Sequence, residues 1–322
     1  MAPRRNSNVF LTRDIFIFII CLMTVKAIGT LLFEDANTDN HRQHESRIRN
    51  DEKLAFSLAD KSKECLIPKA KPMDANPVLI ASYPGSGAKL TWKLIRAISG
   101  IMTSDDHDHN GLAKTNEAIG IKTHYPVPHV SNQQVFSPYA HINRSVLLLR
   151  YPIDALSSYH NFLYERSNNL QNHSVRAPSE QWIEWRNKYF DEKMKIWVDH
   201  IQFWMLYHTH ENRLIISYED LLSSSDGPGE LLKLKNFLRV DNESILNTSD
   251  VDIPCIWDKL VDDSIYQGTK MASLRKSDSA SERRPVTDDH LKKVKDELKT
   301  LRDLFPDELT PILNKYITRA SV

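Results

Sequence analysis

The chain has little glycine, few cysteines and no net charge, and each shortage excludes a class of protein. Its 322 residues include nine glycines and show no internal repeat, which argues against a repeat-rich β protein. Lysine plus arginine equals aspartate plus glutamate at 42 each, so no whole-chain field attracts nucleic acid. Any anion site must be local, built from a few cations and backbone N–H groups. With 41% hydrophobic residues, the chain can build one sizeable domain.

A long apolar run occurs near the N-terminus, at 15–33, where three arginines precede it and acidic residues follow. This pattern predicts a type II signal anchor, with 1–14 as a cytoplasmic tail and the rest of the chain in the lumen of the Golgi. Lys26 interrupts the run, and Val25-Lys26-Ala27 also looks like a signal-peptidase site. A cleaved signal peptide and a cytosolic protein therefore stay as alternatives.

Sequence patterns further along the chain agree with a lumenal location. Four tripeptides have the pattern of N-glycosylation acceptors, at Asn143, Asn172, Asn242 and Asn247. In an oxidising compartment Cys65 and Cys255 would form a disulfide, whereas elsewhere they would be two buried free thiols. The polar, highly charged stretch 34–75 is predicted to be a stem, and 76–322 the lumenal domain.

Apolar runs alternate with helical patterns through that domain. The strand candidates are 78–81, 119–122, 146–149 and 214–216, and the helix candidates are 89–99, 153–166, 179–207, 228–238 and 286–304. Strands that are continuously apolar and each followed by a helix indicate an α/β fold, a parallel sheet with helices on both faces. Ligands of such sheets bind beyond the carboxyl ends of the strands.

The first strand leads into a candidate phosphate-binding loop, Ser-Tyr-Pro-Gly-Ser-Gly-Ala-Lys-Leu-Thr-Trp, at 82–92. Glycines let backbone N–H groups approach an anion, and the following helix begins with unpaired N–H groups and a positive dipole end. Lys89 and the hydroxyls of Ser86 and Thr91 complete a possible oxyanion cradle, although an ordinary strand-to-helix turn is the alternative. The spacing does not fit G-x-x-x-x-G-K-[ST], so a nucleoside-triphosphate kinase or ATPase is excluded.

This loop resembles the 5′-phosphosulfate loop of sulfotransferases, typically Tyr-Pro-Lys-Ser-Gly-Thr-Thr-Trp. The resemblance implies that the donor contacts are Gly85, Ser86, Gly87, Ala88, Lys89, Leu90, Thr91 and Trp92. Two departures stand out, since the family lysine is Gly85 here and two extra residues precede Thr91. Lys89 is the inferred substitute for that lysine.

Two further segments resemble the same family in the same order. Lys122-Thr123-His124 is similar to the Lys-Thr-His segment in which the histidine is the general base for the acceptor hydroxyl. A neutral imidazole can remove a hydroxyl proton, and Lys122, on the same side of its strand, could stabilise developing charge. A structural histidine at a strand end is the alternative. Arg150 and Ser158 match the family's arginine and serine that bind the nucleotide 3′-phosphate.

The resemblance therefore implies a sulfotransferase fold, with 3′-phosphoadenosine 5′-phosphosulfate (PAPS) as co-substrate, no metal, and a hydroxyl-bearing acceptor such as a glycan, glycolipid or secreted protein. The basic clusters at 275–276 and 282–284, with Arg283 and Arg284, would close over the 3′-phosphate or form a solvated charged surface. Tyr218-Glu219-Asp220 resembles a family segment expected to be structural.

A non-catalytic protein that keeps only the nucleotide site or the fold is the second hypothesis, favoured by Gly85. The His/Asp-rich stretch 105–109 is expected to bind no metal, and the tryptophan-rich stretch 182–204 is either helix core or the wall of an acceptor cleft.

Overall fold

The computed structural model describes residues 65–127, 136–170, 176–246, 248–261 and 284–321. The predicted tail at 1–14, the apolar run at 15–33 and most of the predicted stem lie outside these ranges. The same is true of Asn172, Asn247 and Arg283. Within the described ranges, no helix is both long and apolar enough to cross a membrane.

Five parallel strands form one sheet. They are β1 (Val78–Ser82), β2 (Thr103–Asp105), β3 (Gly120–Thr123), β4 (Ser145–Leu149) and β5 (Arg213–Ser217). Their order across the sheet is β2-β3-β1-β4-β5. The chain therefore adds β2 and β3 on one side of β1, and later β4 and β5 on the other side. As a result, the carboxyl ends of β1, β3 and β4 are neighbours at one edge of the sheet.

Eight α-helices complete the described parts of the domain. They are α1 (Ala88–Ser99), α2 (Pro152–Ser167), α3 (Ser179–Tyr207), α4 (Tyr218–Leu222), α5 (Gly227–Arg239), α6 (Ile253–Val261), α7 (Asp288–Leu304) and α8 (Pro306–Arg319). Short 3₁₀ turns occur at Ser137–Tyr139, His210–Asn212 and Asp250–Asp252.

Both faces of the sheet are buried, which explains the continuously apolar strands. Leu79 and Leu147 belong to one core with side chains of α2, α3, α7 and α8. The alternate residues Ile80, Val146 and Leu148 are also buried, on the face where α1 and α5 contact the sheet and α6 packs against both. The predicted three-layer α/β architecture is confirmed for the described residues.

The folded domain begins earlier than the sequence patterns indicated. Cys65 is buried and bonded to Cys255 of α6 across 190 residues. Lys71 bridges to Ile101 in parallel, and Ala75 donates a hydrogen bond to the carbonyl of Asn116. The placement of 65–75 in a stem is therefore corrected, because these residues are hydrogen-bonded to the domain.

The sequence patterns also missed β2 and α8. β2 is three residues of Thr-Ser-Asp, too short and too polar to be recognised as a strand. α8 starts two residues after α7 ends and contains Pro311, which ordinarily marks the end of a helix.

Candidate active site

The loop after β1 presents free backbone N–H groups at the start of α1. Gly85 and Gly87 have positive φ angles, 87° and 97°, and Gly87 caps the helix without a side-chain hydrogen bond. The N–H groups of Gly87, Ala88 and Lys89 have no acceptor among the described residues. Uncapped N–H groups at a helix N-terminus form an anion site because they add to the positive end of the dipole.

Ser86 supplies a hydroxyl to the same loop. Its side chain is 1% exposed, and its Oγ has no hydrogen-bond partner among the described residues. A buried hydroxyl without a partner is costly, so this position suits a ligand acceptor or donor atom. Leu90 and Thr91 are buried in the first turn of α1, where both N–H groups and the Thr91 hydroxyl donate to the Gly87 carbonyl. Their predicted contact with the donor stays a prediction.

Gly85 lies directly against α2. A β-carbon placed on it would be 2.3 Å from the carbonyl oxygen of Ala155 and 2.9 Å from the Tyr159 nitrogen. It would also be 3.2 Å from the Cβ of Ser158. No side chain fits here, so glycine replaces the family lysine because the loop and α2 are in backbone contact.

Arg150, directly after β4, connects the loop to the first residue of α4. Its Nη1 donates a 2.7 Å hydrogen bond to the Gly85 carbonyl, and its guanidinium lies 4.5 Å from the centre of the Tyr218 ring. The same ring borders Gly87, where a β-carbon would come within 2.2 Å of it. Ser158, partly exposed on the first half of α2, lies against Gly85. The structure thus brings Arg150 and Ser158 to the same side of the loop.

The segment that carries Arg150 is held in place by Glu219, the residue after Tyr218. Glu219 accepts a 2.9 Å bond from the Tyr151 backbone N–H and a 2.5 Å bond from the hydroxyl of Tyr316 in α8. Arg319, also in α8, forms a 2.7 Å ion pair with Asp154 of α2. The C-terminal helix therefore fixes the position of the segment after β4.

His124, at the end of β3, is oriented by β1. Its Nδ1 lies 2.6 Å from the Ser82 carbonyl oxygen, which can only accept, so Nδ1 carries the proton and Nε2 has the lone pair. Burial lowers the pKa of His124 well below its usual range, and the positive charge of Lys122 lowers it further. The ring is therefore neutral at pH 7 and able to accept a proton at Nε2. Ser82 was not predicted as a site residue, because its contribution is a backbone carbonyl.

Two lysines lie near this histidine. Burial lowers the pKa of Lys122, Asp105 and Asp106 oppose that shift, and the charge of Lys89 adds to it. Lys89 itself is exposed in the first turn of α1, and its pKa is lowered by partial desolvation. The positive charge of one ammonium group disfavours the protonated form of the other, so an anion bound beside both is stabilised.

Trp92 and Arg284 lie further from the loop. The Lys122 Nζ lies 5.7 Å from the centre of the Trp92 ring, whose buried Nε1 has no partner among the described residues. Arg284 donates from Nη2 to the Asn161 side chain at 2.8 Å and to the Ala177 carbonyl at 2.6 Å. Asn161 is three residues after Ser158, so Arg284 contacts α2 one helical turn from that serine.

The sequence matches the model of the sulfotransferase domain over residues 75–320, which include the loop after β1, His124 and Arg150. The chain belongs to the sulfotransferase domain family. Among solved structures it is similar to mouse sulfotransferase SULT7A1 complexed with PAP, with a TM-score of 0.53 and 15% identity over 78% of this chain and 91% of that chain. At this identity the similarity shows the fold. No curated protein matches the sequence.

The His/Asp-rich stretch of this sulfotransferase domain is used for internal contacts. Asp106 accepts a 2.7 Å bond from the Thr123 hydroxyl, one residue before His124, and Asp105 accepts a 3.0 Å bond from His109. Asp108 accepts from the Ala113 backbone at 2.7 Å. Over the described residues, no three His, Cys, Asp or Glu side chains converge on a possible metal position.

Two predicted glycosylation positions in the sulfotransferase domain differ in accessibility. Asn143 is exposed. Asn242 is 3% exposed, and its Nδ2 donates to the carbonyls of Leu238 at 2.9 Å and Asn76 at 3.1 Å. The prediction of a glycan at Asn242 is corrected, because its amide nitrogen is buried and committed to the fold.

The tryptophan-rich stretch in α3 is mainly core. Trp182, Trp197 and Trp204 are at most 1% exposed, whereas Trp185 is partly exposed beside the second half of α2. Most of the stretch therefore cannot contact an acceptor, and Trp185 is the exception among its four tryptophans.

Proposed function

We propose that the protein transfers a sulfuryl group from PAPS to a hydroxyl of an acceptor, with His124 as general base. The observation that carries this proposal is the hydrogen bond between His124 and Ser82. It joins the neutral histidine to the first residue of a loop that offers three unpaired N–H groups and the buried Ser86 hydroxyl. A proton acceptor and an anion cradle therefore share one edge of the sheet.

In this proposal the donor binds along two segments. The N–H groups after Gly85, the Ser86 hydroxyl and the lysines at 89 and 122 face the 5′-phosphosulfate. Arg150 and Ser158, with Arg284 one helical turn away and Arg283 next to it in sequence, bind the 3′-phosphate. Support comes from the family match and from the solved mouse sulfotransferase, whose structure contains PAP.

The reaction is an in-line displacement at sulfur. The acceptor hydroxyl oxygen bonds to the sulfur as its proton moves to Nε2 of His124. The bond between sulfur and the bridging oxygen of the 5′-phosphate breaks, and adenosine 3′,5′-bisphosphate (PAP) leaves. By analogy with phosphoryl transfer, the protein contributes positioning and charge stabilisation, with Lys122 and Lys89 nearest to the developing charge.

We further propose that this chemistry takes place in the Golgi lumen, with 15–33 as the membrane anchor and a glycan, glycolipid or secreted protein as acceptor. The Cys65–Cys255 disulfide supports an oxidising compartment. A non-catalytic nucleotide-binding protein is the competing hypothesis. The geometry at Gly85 weakens it, because the missing lysine reflects the close approach of α2.

The test is a pair of measurements on the full-length protein and its His124→Ala variant: PAP binding by calorimetry and sulfuryl transfer from labelled PAPS to a panel of glycans and proteins. We expect the variant to keep PAP affinity within about threefold and to lose at least about 100-fold in turnover, since a general base contributes at least that much. His210→Ala, at a histidine whose side chain is 72% exposed, is the matched control.

Three results would count against parts of the proposal. If the folded wild-type protein does not bind PAP, the proposed donor site is wrong. PAP binding without turnover on any acceptor favours the non-catalytic hypothesis. Full turnover by His124→Ala excludes this histidine as the base.

A further inference from the structure

A groove of about 830 Å³ lies between the second half of α2 and the first half of α3. Ser158 and Gly85 are not among its lining residues, so it is distinct from the donor site. Tyr159, one residue after Ser158, contributes to its wall and packs edge-on against Tyr83 of the phosphate loop, with ring centres 6.2 Å apart. The groove therefore begins where the donor segment of α2 ends. Its volume is that of a site for a ligand of small-molecule size.

Aromatic rings form much of its surface. Trp185 is partly exposed and stacks on the buried Trp182 with ring centres 5.6 Å apart. The Tyr189 ring follows at 5.9 Å from Trp185. Because buried rings behind it hold Trp185 in place, its exposed surface is a rigid apolar platform of the kind on which flat ring ligands stack.

His160, one of the lining residues, has a buried polar atom without a partner among the described residues. Its side chain is 5% exposed, it packs 5.2 Å from Trp185, and its Nδ1 has no partner among the described residues. Burial lowers the pKa of His160 to about 4, with a further contribution from Arg284, so the ring is neutral at pH 7. A hydroxyl of a ligand can satisfy either tautomer, since a hydroxyl both donates and accepts.

Cations outnumber acids among the described residues that line the groove. Arg166, Lys188 and Lys193 are present, and Glu184 is the single acid. The Lys188 ammonium lies 5.0 Å from the centre of the Tyr189 ring, which places a positive charge at the edge of an aromatic surface. Lys193 is paired with Glu192 at 2.7 Å, and the charge of Glu184 acts on Lys188, so the excess positive charge is shared between Arg166 and Lys188.

We propose that this groove binds an anionic carbohydrate chain. Sugar rings would stack on Trp185, a hydroxyl would bond to His160, and carboxylate or sulfate groups would pair with Lys188 and Arg166. The proposal rests on the proposed function in taking this chain to be a remote part of the acceptor, held while another of its hydroxyls reacts. An acidic peptide would use the cations but would leave the aromatic platform and the His160 nitrogen without matching groups.

The test is direct binding of a galacturonic acid hexamer to the full-length protein by calorimetry, in the absence of donor. We expect Lys188→Glu and Trp185→Ala each to weaken binding about tenfold, through loss of a charge pair and of the stacking surface. Lys195→Glu, on the same helix but outside the groove, is the matched control and is expected to change binding by less than about twofold. Maltohexaose, which is neutral, and hexaglutamate, which is an acidic peptide, are the comparison ligands and are expected to bind at least about tenfold more weakly.

The proposal is overturned if the hexamer does not bind, or if Lys195→Glu weakens binding as much as Lys188→Glu does. Equal binding of maltohexaose excludes the anionic requirement, and equal binding of hexaglutamate makes the site a peptide site. PAP binding is measured on the same samples. If PAP does not bind, but the hexamer binds and the variants weaken its binding as expected, then the donor assignment is wrong and the proposal for the groove is supported.

Discussion

Two segments of the proposed donor site offer different groups to an anion. The loop after β1 relies on backbone N–H groups, one hydroxyl and close contact with α2, where Gly85 has no room for a side chain. The segment after β4 relies on one guanidinium, which bonds to the loop and lies on the Tyr218 ring. Main-chain sites tolerate changes of side chain as long as the backbone path is kept, whereas side-chain sites require the same residue. This difference explains why the first motif departs from the family pattern and Arg150 with Ser158 does not.

The largest effect is expected at the contact between the loop and α2. Gly85→Ala forces a β-carbon into the Ala155 carbonyl at a φ of 87°, so the loop must move. We expect a loss of about 3 kcal/mol in the free energy of unfolding and at least about tenfold in PAP affinity. Denaturant unfolding and calorimetry measure the two quantities.

Gly111→Ala separates backbone strain from the clash. Gly111 has a similar φ of 73°, but its added β-carbon meets nothing within 4 Å. This variant should lose about 1 kcal/mol in the free energy of unfolding, the cost of backbone strain without a clash. If the two variants behave alike, the close approach of α2 has no energetic role.

Arg150→Lys tests the side-chain segment. A lysine keeps the charge but cannot bond to the Gly85 carbonyl, lie flat on Tyr218 and bind phosphate with a planar fork at the same time. PAP affinity should fall about 30-fold by calorimetry, about 2 kcal/mol. Arg96→Lys, at the far end of α1, is the matched substitution, and an equal loss there would show that Arg150 has no specific role.

Ser86→Ala should separate stability from binding. The Ser86 hydroxyl has no partner among the described residues, so its removal should leave the ligand-free protein as stable or slightly more stable. PAP affinity should fall about fivefold, the value of one hydrogen bond. A thermal shift assay with and without PAP measures both, and a destabilised ligand-free variant would contradict the role assigned to this hydroxyl.

The smallest effect concerns pH. Burial lowers the pKa of Lys122 below its usual value. Since the protonated lysine is the form that attracts the donor, PAP affinity should fall as the pH rises toward this lowered pKa. Lys122→Arg should make the decline shallower, and an unchanged decline in calorimetric titrations at several pH values would assign it to another group.

The strands that could be predicted from sequence are those with enough apolar residues to be distinguished from the chain around them. β1, β4 and β5 contain runs of at least three apolar residues, β3 contains Gly120 and Ile121, and each of the four lies within one residue of its predicted position. β2 and β5 are the two edge strands, and β2 gave no pattern because it is only three polar residues long. The α3 helix was predicted over its whole length, because its side chains repeat with the helical period.

The resemblance of three motifs to family segments predicted the loop, Lys122, His124, Arg150 and Ser158 as site residues, and these motifs follow or end β1, β3 and β4 in the structure. Apart from the Cys65–Cys255 disulfide, contacts made through the backbone or between distant segments could not be predicted. Ser82 acts through a carbonyl oxygen that any residue would supply. The position of Tyr218 under both Gly87 and Arg150 depends on how β4 and β5 pair in space. The reason for glycine at 85 became visible only with the path of α2.

The Cys65–Cys255 disulfide has a mechanical consequence. A pull on the chain before Cys65 is carried by the sulfur–sulfur bond into α6, and the 66–77 segment that leads to β1 carries little of it. α6 packs against α1 and α5, so tension from a tether would enter the domain through these helices. Reducing the disulfide would move the load onto the 66–77 segment and its backbone hydrogen bonds to the domain, at Lys71 and Ala75.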